Sequence, residues 1–237
     1  PLSSGYATVL QNIGGVENKG FEVGLTTENI KTENFAWNSN IVFSANRNKV
    51  VAIGNGVDQF FPVVPNGSLL QQQPVTVKVG LPLGTFWGYK TNGIVQNLQE
   101  GINAGLDGQL AQAGEFKYVD INGDGVVDTK DQTIIGNPNP DFTYGFSISA
   151  NYKAFDFSLN ANGVAGNQIV QSYRNQANAY GNYTSAILSR WHGEGSSNTM
   201  PRVTEDNRNF AQFSDLYVQD GDFLRINTVT LGFDLAK

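Results

Sequence analysis

The stretch Phe142-Thr-Tyr-Gly-Phe-Ser-Ile-Ser-Ala-Asn-Tyr-Lys-Ala-Phe-Asp-Phe-Ser-Leu-Asn-Ala161 decides the fold class, because apolar and polar residues alternate on both sides of a short turn. The first half predicts a strand of about ten residues with one apolar face. Lys153-Ala154 supplies the turn, and the second half alternates in the same way from Phe155 onward. The stretch therefore predicts an antiparallel hairpin.

The same alternation occurs elsewhere in the chain. A strand is predicted from Phe21 to Thr27, a turn over 29–34, and a second strand from Phe35 to Ala45, which together form another hairpin. Another short aromatic strand is predicted at Thr85–Lys90, and a last strand runs from Asp222 to Ala236. The sequence thus predicts an all-β protein of antiparallel strands.

The two faces of these strands differ in a way that indicates a membrane environment. The apolar faces are rich in aromatic residues, and the polar faces carry Asn, Ser, Thr and Gly instead of Lys and Glu, as in a transmembrane β-barrel with a wet lumen. The connections are unequal, since both hairpins turn tightly whereas residues 47–84 and 166–221 are long. A soluble β-sandwich or solenoid is the alternative. Lipid tolerates no open sheet edge, so these few strands are expected to be a fragment of a larger barrel.

Composition excludes several functional classes. The 237 residues carry a net charge of −6, which gives no support to nucleic-acid binding. There is no Cys and therefore no disulfide or thiolate zinc site, and no apolar run approaches the roughly 20 residues of a transmembrane helix. The chain has neither an initiator Met nor a leader over residues 1–5, so we expect it to be an internal part of a longer protein.

The segment Asp120-Ile-Asn-Gly-Asp-Gly-Val-Val-Asp-Thr-Lys-Asp131 has the ligand spacing of an EF-hand-type calcium loop. Its carboxylates would repel one another unless a hard cation gathered them. The predicted calcium ligands are the side chains or carbonyls of Asp120, Asn122, Asp124, Val126, Asp128 and Asp131.

The surroundings of this loop predict a structural role for the ion. The segment before it alternates like a strand and the segment after it runs into Gly and Pro, so no helix pair is available for a calcium sensor. We therefore predict a structural calcium ion that holds together a long loop over residues 114–140. The alternative is an Asp- and Gly-rich surface turn held by its own side chains.

Several motifs, in order along nearly the whole chain, resemble the C-terminal barrel part of SusC/RagA-type TonB-dependent outer-membrane transporters. These motifs are Asn18-Lys-Gly-Phe-Glu-Val23, Phe35-Ala-Trp37, Asn46-Arg-Asn-Lys-Val50, Gly80-Leu-Pro-Leu-Gly-Thr-Phe-Trp-Gly-Tyr89, Gly114-Glu-Phe-Lys-Tyr-Val-Asp120, Ile135-Gly-Asn-Pro-Asn-Pro-Asp-Phe142 and Tyr217-Val-Gln-Asp-Gly-Asp-Phe-Leu-Arg225.

The resemblance implies a barrel of about 22 strands in the outer membrane of a Gram-negative bacterium. It also implies an N-terminal plug, energy from TonB, a SusD-like lipoprotein lid, and import of oligosaccharides or peptides. The plug, the TonB box and the final strands are expected outside this chain, so transport is expected of the parent protein. Of the family's sites only the calcium loop transfers, on the extracellular side.

Two other functions were weighed. Catalysis has little to work with, since the chain has no Cys, a single His192 and no Gly-x-Ser-x-Gly motif, so we expect no enzyme. The second is a soluble, extracellular, calcium-stabilised binding or adhesion module. Aromatic residues in the long connections could contact a ligand or form the membrane's aromatic girdle, and these candidates are Trp87, Tyr89, Tyr173, Tyr180, Tyr183 and Trp191.

Overall fold

The computed structural model describes residues 14–63, 73–171, 185–204 and 212–235. The strands are β1 (Gly14–Lys31), β2 (Phe35–Ile53), β3 (Gln59–Phe60), β4 (Val77–Lys78), β5 (Phe86–Gly88), β6 (Thr91–Ile94), β7 (Phe116–Tyr118), β8 (Thr133–Gly136), β9 (Phe142–Tyr152), β10 (Phe155–Ala165), β11 (Gln168–Val170), β12 (Val218–Asp220) and β13 (Phe223–Phe233). One helix, α1 (Leu98–Asn103), lies between β6 and β7. Single 3₁₀ turns occur at Gly54–Gly56, Thr129–Asp131, Ser185–Ser189 and Asp215–Tyr217.

A five-stranded antiparallel sheet in the order β1-β2-β9-β10-β13 dominates the structure. Both predicted hairpins are confirmed, and β1 and β2 extend well beyond their predicted ends to form a long ribbon. The last strand is shorter than predicted, since it ends at Phe233, and Ala236 lies outside the described residues. We call these five strands the main sheet.

The main sheet has one apolar and one polar face, and the register makes each face continuous across all five strands. Along one row, Leu25 pairs with Ile41, Ile41 with Phe146, and Phe146 with Ala161. The neighbouring row places Asn40 beside Ser147, and Ser147 beside Asn160. Because side chains alternate between the faces, this register puts most apolar positions on one side, with Val42 and Val164 among the exceptions.

Aromatic side chains concentrate at the two ends of the apolar face. At the end with the short turns, the rings of Phe155 and Phe233 lie 4.8 Å apart, and Phe35 lies beside Tyr152. Toward the other end Phe43 stacks 5.2 Å from Phe142. At about 3.3 Å of rise per residue, Phe35 and Phe43 lie about 26 Å apart along β2, which at a strand tilt of about 40° corresponds to roughly 20 Å of the ~25 Å apolar band of an outer-membrane barrel.

The two long connections, from β2 to β9 and from β10 to β13, both leave the main sheet at the end opposite the short turns. Their described parts pack on each other, and we call them together the connector unit. They share two apolar clusters. The first is centred on Tyr89, Ile94, Val95, Leu106, Ala111, Phe116 and Tyr118, and the second on Phe86, Ile135, Phe213 and Tyr217.

Local predictions in the connector unit had mixed outcomes. Residues 47–84, for which the sequence predicts either a long ordered loop or a small outlying sheet, contain β3 paired with β4, and the aromatic strand predicted at Thr85–Lys90 is β5. For Thr184–Trp191 the sequence predicts a short helical segment. Thr184 lies outside the described residues, and Ser185–Ser189 forms a 3₁₀ turn. Its side chains are largely exposed, so no apolar stripe is buried to stabilise a longer helix. Among the described residues, α1 is too short and polar to cross a bilayer.

Candidate functional sites on the connector unit

The predicted calcium loop connects β7 to β8 and is held together by hydrogen bonds to carboxylates. The carboxylate of Asp120 accepts from the backbone N–H groups of Gly123 at 2.6 Å and Gly125 at 2.8 Å. Gly125 has a φ of +87°, so the sharp turn predicted at the sixth position is confirmed. Strands on both sides confirm that no helix pair flanks the loop.

Asp131 closes the loop from inside. Its side chain is 0% exposed and accepts from the N–H groups of Ile121 at 2.8 Å, Asn122 at 3.2 Å and Asp128 at 2.8 Å. Burial alone would raise the pKa of this carboxyl, but the hydrogen bonds from Asp128, Asn122 and Ile121 favour the charged form and outweigh it, so the pKa is lowered. The group is therefore ionised at neutral pH.

The outer side of the loop is more exposed. Asp124 accepts from Val126 N–H, while Asp128 accepts from Lys130 N–H and caps the 3₁₀ turn. Asn122 Oδ1 accepts from Asp124 N–H. The Lys130 ammonium lies 3.4 Å from Asp128 and 3.8 Å from Asp124, so one cation already offsets part of the charge.

The loop presents oxygen atoms, the kind of ligand that calcium prefers. All six predicted ligands offer oxygen atoms, which suits a hard cation, but Asp131 Oδ1 already accepts two hydrogen bonds, from Ile121 and Asn122. Within the described part of the chain, no three acidic or His side chains converge as a metal-binding group. The donor chemistry fits calcium, and the ion itself stays a prediction.

The loop is attached to the turn that follows α1. The N–H of Val127 donates to the carbonyl of Gly105 at 2.8 Å. Gly105 has a φ of +76°, and a Cβ there would lie 2.8 Å from the carbonyl oxygen of Gly125. The close approach of the two backbones therefore depends on glycine at position 105.

The aromatic ligand candidates occupy different environments. Trp87 is half-buried beneath the Lys78 ammonium, which lies 4.7 Å from its ring centre. Tyr89 is only 6% exposed and packs 5.5 Å from the ring of Tyr118, a position that argues against ligand contact. Trp191 packs partly buried against the first apolar cluster. The other candidates, Tyr173, Tyr180 and Tyr183, lie outside the described residues.

Sequence reasoning missed the contact that joins the two connections. Glu115, with an exposed fraction of 0%, accepts from Arg202 Nε at 2.7 Å and lies 2.6 Å from Arg202 Nη2. No local pattern signals a pair so far apart in the sequence. Asp215 also spans the connections, since it accepts from the N–H and hydroxyl of Thr91.

Comparison with known proteins finds relatives over the whole chain. It is 33% identical over 240 residues to TonB-dependent receptor P3 of Formosa agariphila, which covers 100% of this chain and 23% of the relative. It is 35% identical to TonB-dependent receptor P26 of the same organism (99% and 24% covered). It is 27% identical to TonB-dependent receptor SusC of Bacteroides thetaiotaomicron (100% and 22% covered). No family model matches the chain.

Solved structures give the same fold. The structure of the RagAB peptide transporter superposes with a TM-score of 0.70 at 18% identity, over 98% of this chain and 24% of that chain. The RagAB peptide importer in its 'open-open' state gives 0.69. This chain spans about a quarter of the length of the proteins it matches.

The main sheet is thus an antiparallel segment of a TonB-dependent receptor β-barrel, a class found in the outer membrane of Gram-negative bacteria. Within the class, the chain is a fragment of a SusC-like receptor, because relatives named TonB-dependent receptor or SusC match it over its whole length.

Proposed function

We propose that this chain is part of a TonB-dependent importer of glycans or peptides that works with a SusD-like surface lipoprotein. The observation that carries the proposal is the apolar face of the main sheet, continuous over five strands, in a chain whose whole length matches TonB-dependent receptors. Such a face gains stability from lipid, and the polar face then lines the route for cargo.

The finer parts of the proposal have separate supports. A lipoprotein partner is supported by the resemblance to SusC and by the fold shared with RagAB. Peptides are supported by the name of the RagAB peptide transporter, whose fold the chain shares. The SusC/RagA resemblance of the sequence implies either oligosaccharides or peptides, so the proposal keeps both classes of cargo. TonB would act through the part of the receptor outside this chain. We propose no catalysis, because the relatives are named as receptors.

Gene deletion tests the importer. Loss of the receptor should abolish TonB-dependent uptake of one labelled class, oligosaccharides or peptides, and an affinity tag on the receptor should co-purify a lipoprotein from detergent-solubilised outer membranes. Undiminished uptake of both classes after deletion would overturn the proposal. Recovery of the receptor as a compact monomer without detergent would instead favour the soluble binding module, which the shared barrel fold disfavours.

We also propose that calcium staples residues 120–131 to the rest of the connector unit. The support is the spacing of the six oxygen ligands together with the docking of Val127 on Gly105. In the receptor, Asp120→Ala combined with Asp124→Ala should increase protease cleavage over residues 114–140 and remove the effect of a chelator there, without altering the barrel strands.

The matched control replaces two exposed aspartates of the same unit outside the loop, Asp58 and Asp107, by Ala. The control should keep its chelator response. If cleavage of the unaltered receptor over residues 114–140 were the same with and without chelator, the structural metal would be refuted, and the turn held by its own side chains would stand.

A further inference from the structure

We call the connection from β2 to β9 the first connection and that from β10 to β13 the second connection. The strap, residues 191–202, belongs to the second connection and lies across the first. The strap is closed on itself, because Trp191 N–H donates to the carbonyl of Met200 at 2.9 Å. Inside it, Ser196 N–H donates to Gly193 O at 3.0 Å, and Ser197 Oγ accepts from Met200 N–H. The strap is therefore a compact loop with internal order.

Side chains provide most of the attachment of the strap. Gln96, just after β6, uses both ends of its amide: Oε1 accepts from Trp191 Nε1 at 3.1 Å and from Gly195 N–H at 2.8 Å, and Nε2 donates to Ser197 O at 3.1 Å. Asn198 Oδ1 accepts from Ile94 N–H at 2.9 Å. Within the described ranges, one backbone–backbone hydrogen bond joins the strap to the first connection, from Arg202 N–H to Gly114 O.

The strongest of these contacts is an ion pair at the C-terminal end of the strap. Arg202 donates to the buried Glu115 carboxylate through Nε, and Nη2 also donates to Gln112 Oε1 at 2.9 Å. The Arg202 side chain is 31% exposed and that of Glu115 is 0% exposed. A buried carboxylate that loses its cation must bind a proton or become hydrated, and hydration requires the strap to move away.

The strap also covers apolar surface. The Trp191 ring lies so close to Gly114 that a Cβ at position 114 would be 2.6 Å from it, and Pro201 is fully buried. Trp191 packs against the cluster that contains Ile94, Val95 and Phe116. Lifting the strap would expose the indole ring and this part of the cluster together.

We propose that the strap is a movable cover. It detaches from the first connection as one unit and returns to its place through the contacts of Gln96, Glu115 and Arg202, which we call the latch. Its internal hydrogen bonds let it keep its shape when released, and its attachment through side chains lets it leave without breaking a β-ladder. The surface that the strap covers, part of the first apolar cluster and one side of the Trp191 ring, is accessible only in the released state. The proposal does not depend on cargo or on transport, because it concerns these contacts alone.

Hydrogen exchange on the detergent-solubilised receptor tests the latch. Arg202→Ala should raise exchange of the amides of residues 191–202 at least tenfold, with a smaller rise in β6 and β7 and no change in β9 and β10. Glu115→Gln keeps a side-chain oxygen that can accept from Arg202, and the partly exposed Arg202 cation can be hydrated. The rise in exchange over the strap should therefore be smaller than in Arg202→Ala. Replacing both charges, Glu115→Leu with Arg202→Met, should return the strap most of the way to the seated state, because no buried charge is left unpaired.

Two matched controls isolate the latch. Arg190→Ala removes a neighbouring arginine that, among the described residues, donates only to the Ile187 carbonyl in its own segment. Lys78→Met removes a cation of the same unit that lies over the ring of Trp87. Neither should release the strap. Unchanged exchange in Arg202→Ala would overturn the proposal. So would an equal increase over the strap, β6 and β7, which would make these residues a permanent part of one core.

Discussion

The main sheet and the connector unit solve the burial of apolar side chains in opposite ways. In the sheet, Leu231 is 81% exposed and Phe21 60% exposed within this chain, whereas in the connector unit Tyr217 is 0% and Phe213 1% exposed. Both regions are rich in aromatic residues. The difference is where the partner of the apolar surface lies: lipid for the sheet, other parts of the same unit for the connectors.

This contrast shows that two regions of one chain can be suited to two different environments, lipid for the main sheet and a protein core for the connector unit. The sheet satisfies its backbone through long ladders and leaves its side chains to the membrane, so the side-chain pattern is regular. The connector unit has only short ladders, and it depends on side-chain hydrogen bonds, caps and two small clusters. Substitutions should therefore act locally and by different mechanisms in the two regions.

The largest effect is expected from Phe213→Ala. Removal of a ring buried among Phe86, Ile135 and Tyr217 should destabilise the connector unit by about 3–5 kcal/mol and leave the main sheet folded. Hydrogen exchange resolved by region measures both. Leu188→Ala, at a position 80% exposed in the same connection, should change stability by less than about 0.5 kcal/mol. Equal loss of protection in β9 and β10 would show that the two regions fold as one.

A charge in the membrane band should have the next largest effect. Ile148→Arg places the charge on the apolar face of β9 and should cost about 2–4 kcal/mol, measured by unfolding of the receptor in lipid vesicles. The neighbouring Ser149→Arg puts the same side chain on the polar face, where the cost should be much smaller. Equal costs at the two positions would contradict the assignment of the faces.

Acid should loosen the calcium loop through Asp131. The folded-state pKa of Asp131 is lowered below the ordinary value of 3.8, so its contribution to stability is complete above that value and is lost as the pH falls through the lowered pKa. Protease sensitivity of residues 114–140, measured without calcium, should therefore rise on acidification below about pH 4. Asp131→Asn should be loose already at neutral pH and respond less to acid. If Asp131→Asn showed the same increase in protease sensitivity with acid, protonation of Asp131 would not be the cause of the loosening.

The smallest effect is expected at Gly24 in β1. A Cβ at Gly24 meets nothing within 4 Å, so Gly24→Ala should stabilise the strand by roughly 0.5 kcal/mol by reducing the entropy of the unfolded chain. Gly20→Ala is the contrast, since its Cβ would lie 2.5 Å from the carbonyl oxygen of Ala45 and should destabilise. Unfolding in vesicles measures both, and a loss of stability in Gly24→Ala would mean that another part of the barrel lies against this position.

Much of the main sheet could be predicted from the sequence. Alternation from Phe142 to Ala161 defined β9, the turn and β10 almost to the residue, because in a strand the face of each side chain follows directly from its position. The lengths of β1 and β2 were underestimated, since their outer parts lack clean alternation and are fixed by pairing with each other. The short helical candidate at Thr184–Trp191 contains only a 3₁₀ turn, Ser185–Ser189, because the side chains of this turn are largely exposed and bury no apolar stripe.

The sequence by itself predicted the class of protein, through several motifs in order along nearly the whole chain. It also predicted the apolar face of the sheet and the sharp turn of the oxygen-rich loop, because each of these depends on spacing within one segment. Only the tertiary structure decided that Tyr89 is a core residue, that Glu115 pairs with Arg202, and that the strap lies on Gln96. Those contacts join residues far apart in the chain, and they exist because two long connections must bury their apolar side chains against each other at the same end of the sheet.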